Sequence, residues 1–101
     1  MSNKFESFAD FYPFYLDEHQ NIVCRRLHFA GTFQVIALLA WTAWSGEAFW
    51  LLFVPLVGYG FAWVGHFVFE KNQPATFQHP FYSLLGDFVM FRDILSGKIK
   101  I

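Results

Sequence analysis

Charge is scarce in this chain of 101 residues: 15% are Asp, Glu, Lys or Arg, while 55% are apolar. Soluble globular domains carry about 25% charged residues, so the deficit points to lipid surroundings. Seven basic residues against eight acidic ones leave a formal net charge of −1. No basic field exists to neutralise phosphates, which excludes nucleic acid as a partner. Cysteine is nearly missing as well. Cys24 alone rules out an intrachain disulfide framework and a multi-cysteine zinc site, and is expected to be a small packed residue. The opening stretch MSNKFESFADFYPFYLDEHQN has acids where a signal peptide needs a basic region, and no small-residue cleavage site. A P-loop, a dinucleotide fingerprint and a Ser-His-Asp order are all missing. There is no internal repeat, and loop-like breaks occur only near 45–47 and 70–80. The chain is expected to form a single domain over 1–101.

What is abundant is aromatic and aliphatic sequence: 23% of residues are Phe, Trp or Tyr. Residues 29–45 (FAGTFQVIALLAWTAWS) and 48–69 (AFWLLFVPLVGYGFAWVGHFVF) contain no Asp, Glu, Lys or Arg. At about 1.5 Å per helical residue, the second run covers a hydrocarbon core of roughly 30 Å and the first is at the lower limit. The fold class expected is all-α: a membrane hairpin of two transmembrane helices, 22–45 and 47–70, joined by the turn Ser45-Gly46-Glu47. Gly58, with Gly65 or Gly60, would let the two helices approach closely. Amphipathic segments flank the hairpin. One, over 5–20, carries the stripe Phe5, Phe8, Tyr12, Tyr15, His19, with Pro13 either kinking it or starting a second helix. The other, over 80–96, carries Phe81, Leu84, Leu85, Phe88 and Phe91, suited to the membrane interface or to packing on the hairpin. A soluble helical bundle is the alternative, but the remaining residues are too few to cover two wholly apolar helices. Arg25 and Arg26 before the uncharged run 29–45, and Lys71 after the second span, are expected to place both termini on the cytoplasmic side. That means the inner membrane in a bacterium, or the endoplasmic reticulum membrane in a eukaryote. The lipid-facing helix surface leaves room for a homodimer.

The histidines acquire a geometry from the hairpin. His28 lies roughly 18 residues before the turn and His66 roughly 19 after it, about 27 Å along each helix, so they share one depth. His19 precedes the first span by a short connector, and His79 follows the second by a loop that contains Pro74. Four imidazoles in one layer can supply the three or four nitrogens of a metal site, and ionisable groups within a membrane carry a presumption of function. Glu70, one turn after His66, is expected either to ligate, to accept a hydrogen bond from a ligating histidine, or to pair at the helix end. Asp87 has the same readings. Arg25 and Arg26 would snorkel to the interface or offer a planar fork to the carboxylate of a lipid. Phe and Trp beside His66 would pack in lipid or line an acyl-chain slot. The spacing H-x8-H, H-x3-E, H is not a recognised metal signature. The residues by themselves support a histidine-rich site at a membrane.

Two blocks carry more. NIVCRRLHFAGT (21–32) and GYGFAWVGHFVFEKNQPATFQHPFYSLLGDFVMF (58–91), with FADFYPFYLDEHQN near the start, resemble the 2-hydroxy fatty acid dioxygenases. The resemblance covers almost the whole chain, and RRLHFxGT and GHFxFExNxPATF are its specific parts. It implies an enzyme that uses Fe(II), without haem or 2-oxoglutarate, to shorten a 2-hydroxy fatty acid by one carbon with O2. The partners implied are therefore a fatty-acyl lipid, O2 and the membrane. The motif histidines correspond to His19, His28 and His66, with His79 a looser match, as metal ligands. His28, His66 and Glu70 are the residues expected to carry the chemistry. Fungal relatives have additional spanning sequence, whereas this chain has a two-span core. The HxxxH and HxxHH clusters of eight-histidine di-iron lipid enzymes are missing, so one metal is the limit. Two readings from other classes stand beside this one: a small membrane scaffold with structural histidines, and a zinc-dependent lipid hydrolase with Glu70 as base.

Overall fold

The computed structural model describes residues 5–101, and among these the chain is built of helices and connecting loops, without strands. Helix α1 spans Phe8–Asp17; the Ser7 hydroxyl caps it by accepting from the Asp10 N–H at 3.2 Å. Pro13 lies inside a single continuous helix, which resolves the choice that the sequence left open. Phe11 and Tyr15, four residues apart, are buried, and His19 continues that spacing just past the helix end and is buried as well, so one face of this aromatic helix is sealed against the rest of the chain.

Helix α2 runs over Ile22–Ser45. Its first turn is held by Asn21, whose Oδ1 accepts from the N–H groups of Val23 and Cys24 at 2.8 and 3.1 Å. Gly46 ends the helix in the left-handed region at φ 74°, and its N–H returns to the Thr42 carbonyl at 2.9 Å. A side chain would strain that conformation. The second long helix begins with a 3₁₀ turn, Ala48–Leu52, continues as α3 over Phe53–Val64, and widens into a π-helical turn over Gly65–Glu70. Both long helices, Ile22–Ser45 and Ala48–Glu70, are long and apolar enough to cross a membrane. A loop with a short 3₁₀ turn then leads to α4, Pro80–Leu95.

Small residues set the packing distance. A Cβ on Gly31 would stand 2.9 Å from Cβ of Phe61, and one on Gly65 would stand 2.9 Å from Sγ of Cys24. Gly58 approaches Val35, whereas Gly60 meets nothing within 4 Å. Gly58 and Gly65 therefore act as expected, Gly60 does not, and Gly31 is a contact that periodicity did not single out. Helix α4 packs through Ser83, Gly86, Met90 and Asp93. The expected apolar stripe divides: Phe81, Leu84 and Leu85 are exposed, Phe81 at 84%, whereas Phe88 is half-buried and Phe91 stacks on Phe29 of α2 at 4.7 Å. Gly86 sits against the Tyr15 ring, where a Cβ would come within 2.9 Å. Tyr12 secures the other end of this contact by donating to Asp93 at 2.8 Å.

Candidate metal centre

Three histidines meet where α1, α2 and the π-helical turn converge. His19 Nε2 lies 3.0 Å from His28 Nε2 and 2.9 Å from His66 Nε2. The rings of His28 and His66 are 4.9 Å apart, as their common depth requires. All three side chains are buried, none more than 4% exposed.

The opposite nitrogen of each ring fixes its tautomer. His19 Nδ1 lies 2.6 Å from the Tyr15 carbonyl and His28 Nδ1 lies 2.9 Å from the Cys24 carbonyl. A carbonyl only accepts, so both Nδ1 atoms must carry the proton. His66 Nδ1 lies 2.7 Å from Asn72 Oδ1. The Asn72 amide cannot be turned over, because its Nδ2 donates to the Glu18 carbonyl at 3.3 Å. Hence His66 also donates from Nδ1. Three neutral imidazoles so oriented aim three Nε2 lone pairs at one another, with no hydrogen between them. That arrangement is repulsive by itself and attractive around a cation.

The surroundings keep the rings neutral. Burial first, then the neighbouring His28 and His66, hold the His19 imidazole well below its usual range. A donor set of neutral nitrogens, each tied at its far side to an oxygen, is the arrangement by which proteins orient metal-binding histidines. The spacing fits too: nitrogens near 3 Å apart suit two bonds of roughly 2.1 Å to one ion. Residues and chemistry therefore fit a single bound metal.

Around the rings lie Tyr15, to which sequence reasoning assigned no role at the site, and Asp87, for which it offered the same readings as for Glu70. The Tyr15 ring stacks on His19 at 4.1 Å, and its hydroxyl donates to Asp87. Burial, then Asp87, pushes the Tyr15 phenol well above its usual value, while burial pushes the Asp87 carboxyl up to about 7 against the pull of the Tyr15 hydrogen bond. A cavity of ≈ 10 Å³, about one water in size, touches His19, His28, His66, Tyr15 and Asp87. Asn72 was missed as a residue although it stands in the FExNxP block; its role depends on the π-helical turn, after which Lys71 adopts φ 61° and the Asn72 N–H reaches back to the His66 carbonyl at 3.0 Å.

The other residues singled out from sequence are placed elsewhere. The His79 ring sits among Phe5, Phe11 and Phe14, with centroids 5.2, 5.4 and 6.2 Å away. The Glu70 carboxylate accepts from the Asn21 backbone N–H and so helps to cap α2. Arg25 donates from Nε to the His19 carbonyl at 2.7 Å and from its terminal nitrogen to the Lys100 carbonyl. Arg26 is exposed. Cys24 Sγ lies 3.6 Å from His28 Nδ1 and, with one nitrogen from each of the three histidines, belongs to a buried group whose possible ligand atoms all lie within 4.8 Å of one another. It fills the space beneath Gly65, as a packed cysteine. Trp63 and Phe67, beside His66, are 38% and 51% exposed and face outward.

Fold and site together define a helical protein with a buried tri-histidine centre between two helices of membrane-spanning length. The family model described as 2-hydroxy-palmitic acid dioxygenase Mpo1-like matches residues 5–99, and the chain belongs to that family. No curated protein and no solved structure matches it.

Proposed function

We propose that the chain is a membrane-bound Fe(II) dioxygenase that shortens a 2-hydroxy fatty acid by one carbon. The convergence of three Nε2 lone pairs on one point carries this reading, and the family's description supports it. His19, His28 and His66 would hold the ion. Bound iron(II) would supply the O2 binding and electron transfer that organic side chains lack. The overall reaction closes without a further reductant. A 2-hydroxy acid yields four electrons on becoming CO2 and the acid one carbon shorter; O2 accepts all four, and one water completes the balance.

The chain's own residues would do the rest. The Tyr15 and Cys24 carbonyls and the Asn72 amide hold the three rings in one tautomer. Tyr15 and Asp87 place a hydrogen-bonded polar pair beside the rings, where a hydroxy-carboxylate head would arrive. The enclosing helices limit bulk water to about one molecule. The helices Ile22–Ser45 and Ala48–Glu70 would cross the bilayer, and Arg25, Arg26 and Lys71 would set the histidine end and both termini on the cytoplasmic side. Arg26, exposed at that end, would draw acidic substrates to the surface.

The hydrolase reading needs a general base beside the metal, and Glu70 is engaged at the start of α2. The scaffold reading needs histidines with complementary donors and acceptors, and three facing lone pairs do not provide them. The test is turnover of a 2-hydroxy fatty acid labelled at the carboxyl carbon by iron-loaded, anaerobically purified protein. One O2 consumed, one labelled CO2 released and one shortened acid formed per substrate is expected. Substrate recovered intact with no O2 uptake would overturn the reading.

A further inference from the structure

A narrow cavity of ≈ 170 Å³ starts at the histidine layer and runs between α2, α3 and α4. His28, Tyr59, Ala62 and Asp87 line both it and the small cavity at the three rings, so the two are continuous. Away from that shared end the walls are apolar: Val35 on α2, Val54 and Gly58 on α3, and Leu84 and Phe88 on α4. Gly58 lets α2 and α3 come close beside the cavity, where a methyl would stand 3.4 Å from Val35, at van der Waals contact.

The walls have a definite length. His28, Thr32 and Val35 line it along α2, a span of seven residues or about 10 Å; Ala62 to Val54 along α3 is eight residues or about 12 Å. An extended alkyl chain advances about 1.3 Å per carbon, the projection of a carbon–carbon bond of about 1.5 Å. About eight carbons therefore fit between the histidine layer and Val54. Leu84 is 56% exposed on the lipid side of the slot, so a longer tail leaves the protein there.

We infer that this slot holds the first eight or so carbons of the acid's chain, with the head at the histidines and the remainder of the tail out among lipid acyl chains. The inference rests on the proposed dioxygenase reading for the nature of the head. It predicts that the chain contacts Val35, Val54 and Gly58 near its eighth carbon, and that carbons beyond about the tenth contact no slot residue. Substrates longer than that then differ little from one another when compared at equal mole fraction in the bilayer, because lipid and slot are similarly apolar.

Photolabelling tests it in the iron-loaded protein in phosphatidylcholine vesicles. A 2-hydroxy acid with a diazirine at its eighth carbon should label Val35 or the Val54–Gly58 segment; one with the group at its fourteenth carbon should label lipid or outward-facing residues. Excess unlabelled 2-hydroxy acid should suppress the first product, and Val35→Phe should abolish it while iron content stays at the wild-type level. Labelling of outward-facing residues by the first probe, or equal labelling of the slot by a diazirine phosphatidylcholine, would overturn the inference. O2 uptake measured on the same samples separates the two claims. Uptake without slot labelling defeats the slot alone, and slot labelling without uptake defeats the dioxygenase reading alone.

Discussion

The two halves of α2 are built to different standards. Between Ile22 and Val35 the helix buries Cys24, His28, Gly31, Thr32 and Val35, a single face at three- and four-residue steps. From Ile36 to Ser45 it buries nothing, and Trp44 is 85% exposed. The second long helix repeats the contrast in reverse, since its buried residues, Gly65 and His66, lie at its end. One end of the hairpin must hold ring nitrogens near 3 Å apart, which demands close packing and hydrogen bonds at every ring. The other end needs only apolar length. Functional precision is confined to one end of the bundle, while the rest meets a much looser requirement.

That contrast can be broken first at the rings. His28→Ala or His66→Ala should abolish metal retention while the helices still form; metal analysis with circular dichroism checks it, and full metal occupancy in either variant would remove the histidines from the site. Next comes the support behind His66. Asn72→Ala should weaken metal affinity by about 10–100-fold, the usual effect of losing a partner of a ligating histidine, and competitive titration with a chelator measures it. Asn72→Asp, which keeps an acceptor, should lose less. Packing at this end is the third target. Gly65→Val drives a branched side chain into Cys24 and should destabilise by about 1–3 kcal/mol, read from thermal unfolding in detergent.

A pH effect follows from Asp87. Its carboxyl is held at about 7 in the folded chain, above its usual 3.8. The folded state therefore binds the proton more tightly than the unfolded state. The stability that this gives is full below about pH 4 and is lost as pH rises through about 7. In chelator-treated protein, Asp87→Asn should flatten that part of the stability profile; an unchanged slope between pH 4 and 7 would contradict the assignment. The smallest effect belongs to the far end. Trp44→Ala should change stability by no more than about 0.5 kcal/mol and leave metal content unchanged.

Much of the site was legible in the sequence because a helical hairpin converts residue counts into depth. Counting from the Ser45–Glu47 turn places His28 level with His66, and their rings do pack at 4.9 Å. His19 follows because only Gln20 and Asn21 separate it from α2. The position of His79 was not legible. A loop through Pro74 has no periodicity, and an aromatic pocket among Phe5, Phe11 and Phe14 holds that ring where counting had offered the metal layer. Glu70 shows the same limit: one turn after His66 suggested a shared face, but the widening into a π-helix turns the carboxylate to the start of α2. That same widening brings Asn72 beneath His66, a partnership that ideal helix geometry hides. In α4 the apolar stripe was legible, but its division was not: Phe81, Leu84 and Leu85 are exposed while Phe91 packs on Phe29, and the buried positions are Ser83, Gly86, Met90 and Asp93.

The central claim is that three oriented lone pairs define a site for one metal ion. Metal analysis of wild-type protein purified without oxygen, set beside the triple substitution of His19, His28 and His66 by Ala, tests it most directly. About one iron per chain in the wild type and none in the variant is the predicted result; wild-type protein that remains metal-free after incubation with excess iron(II) would contradict it.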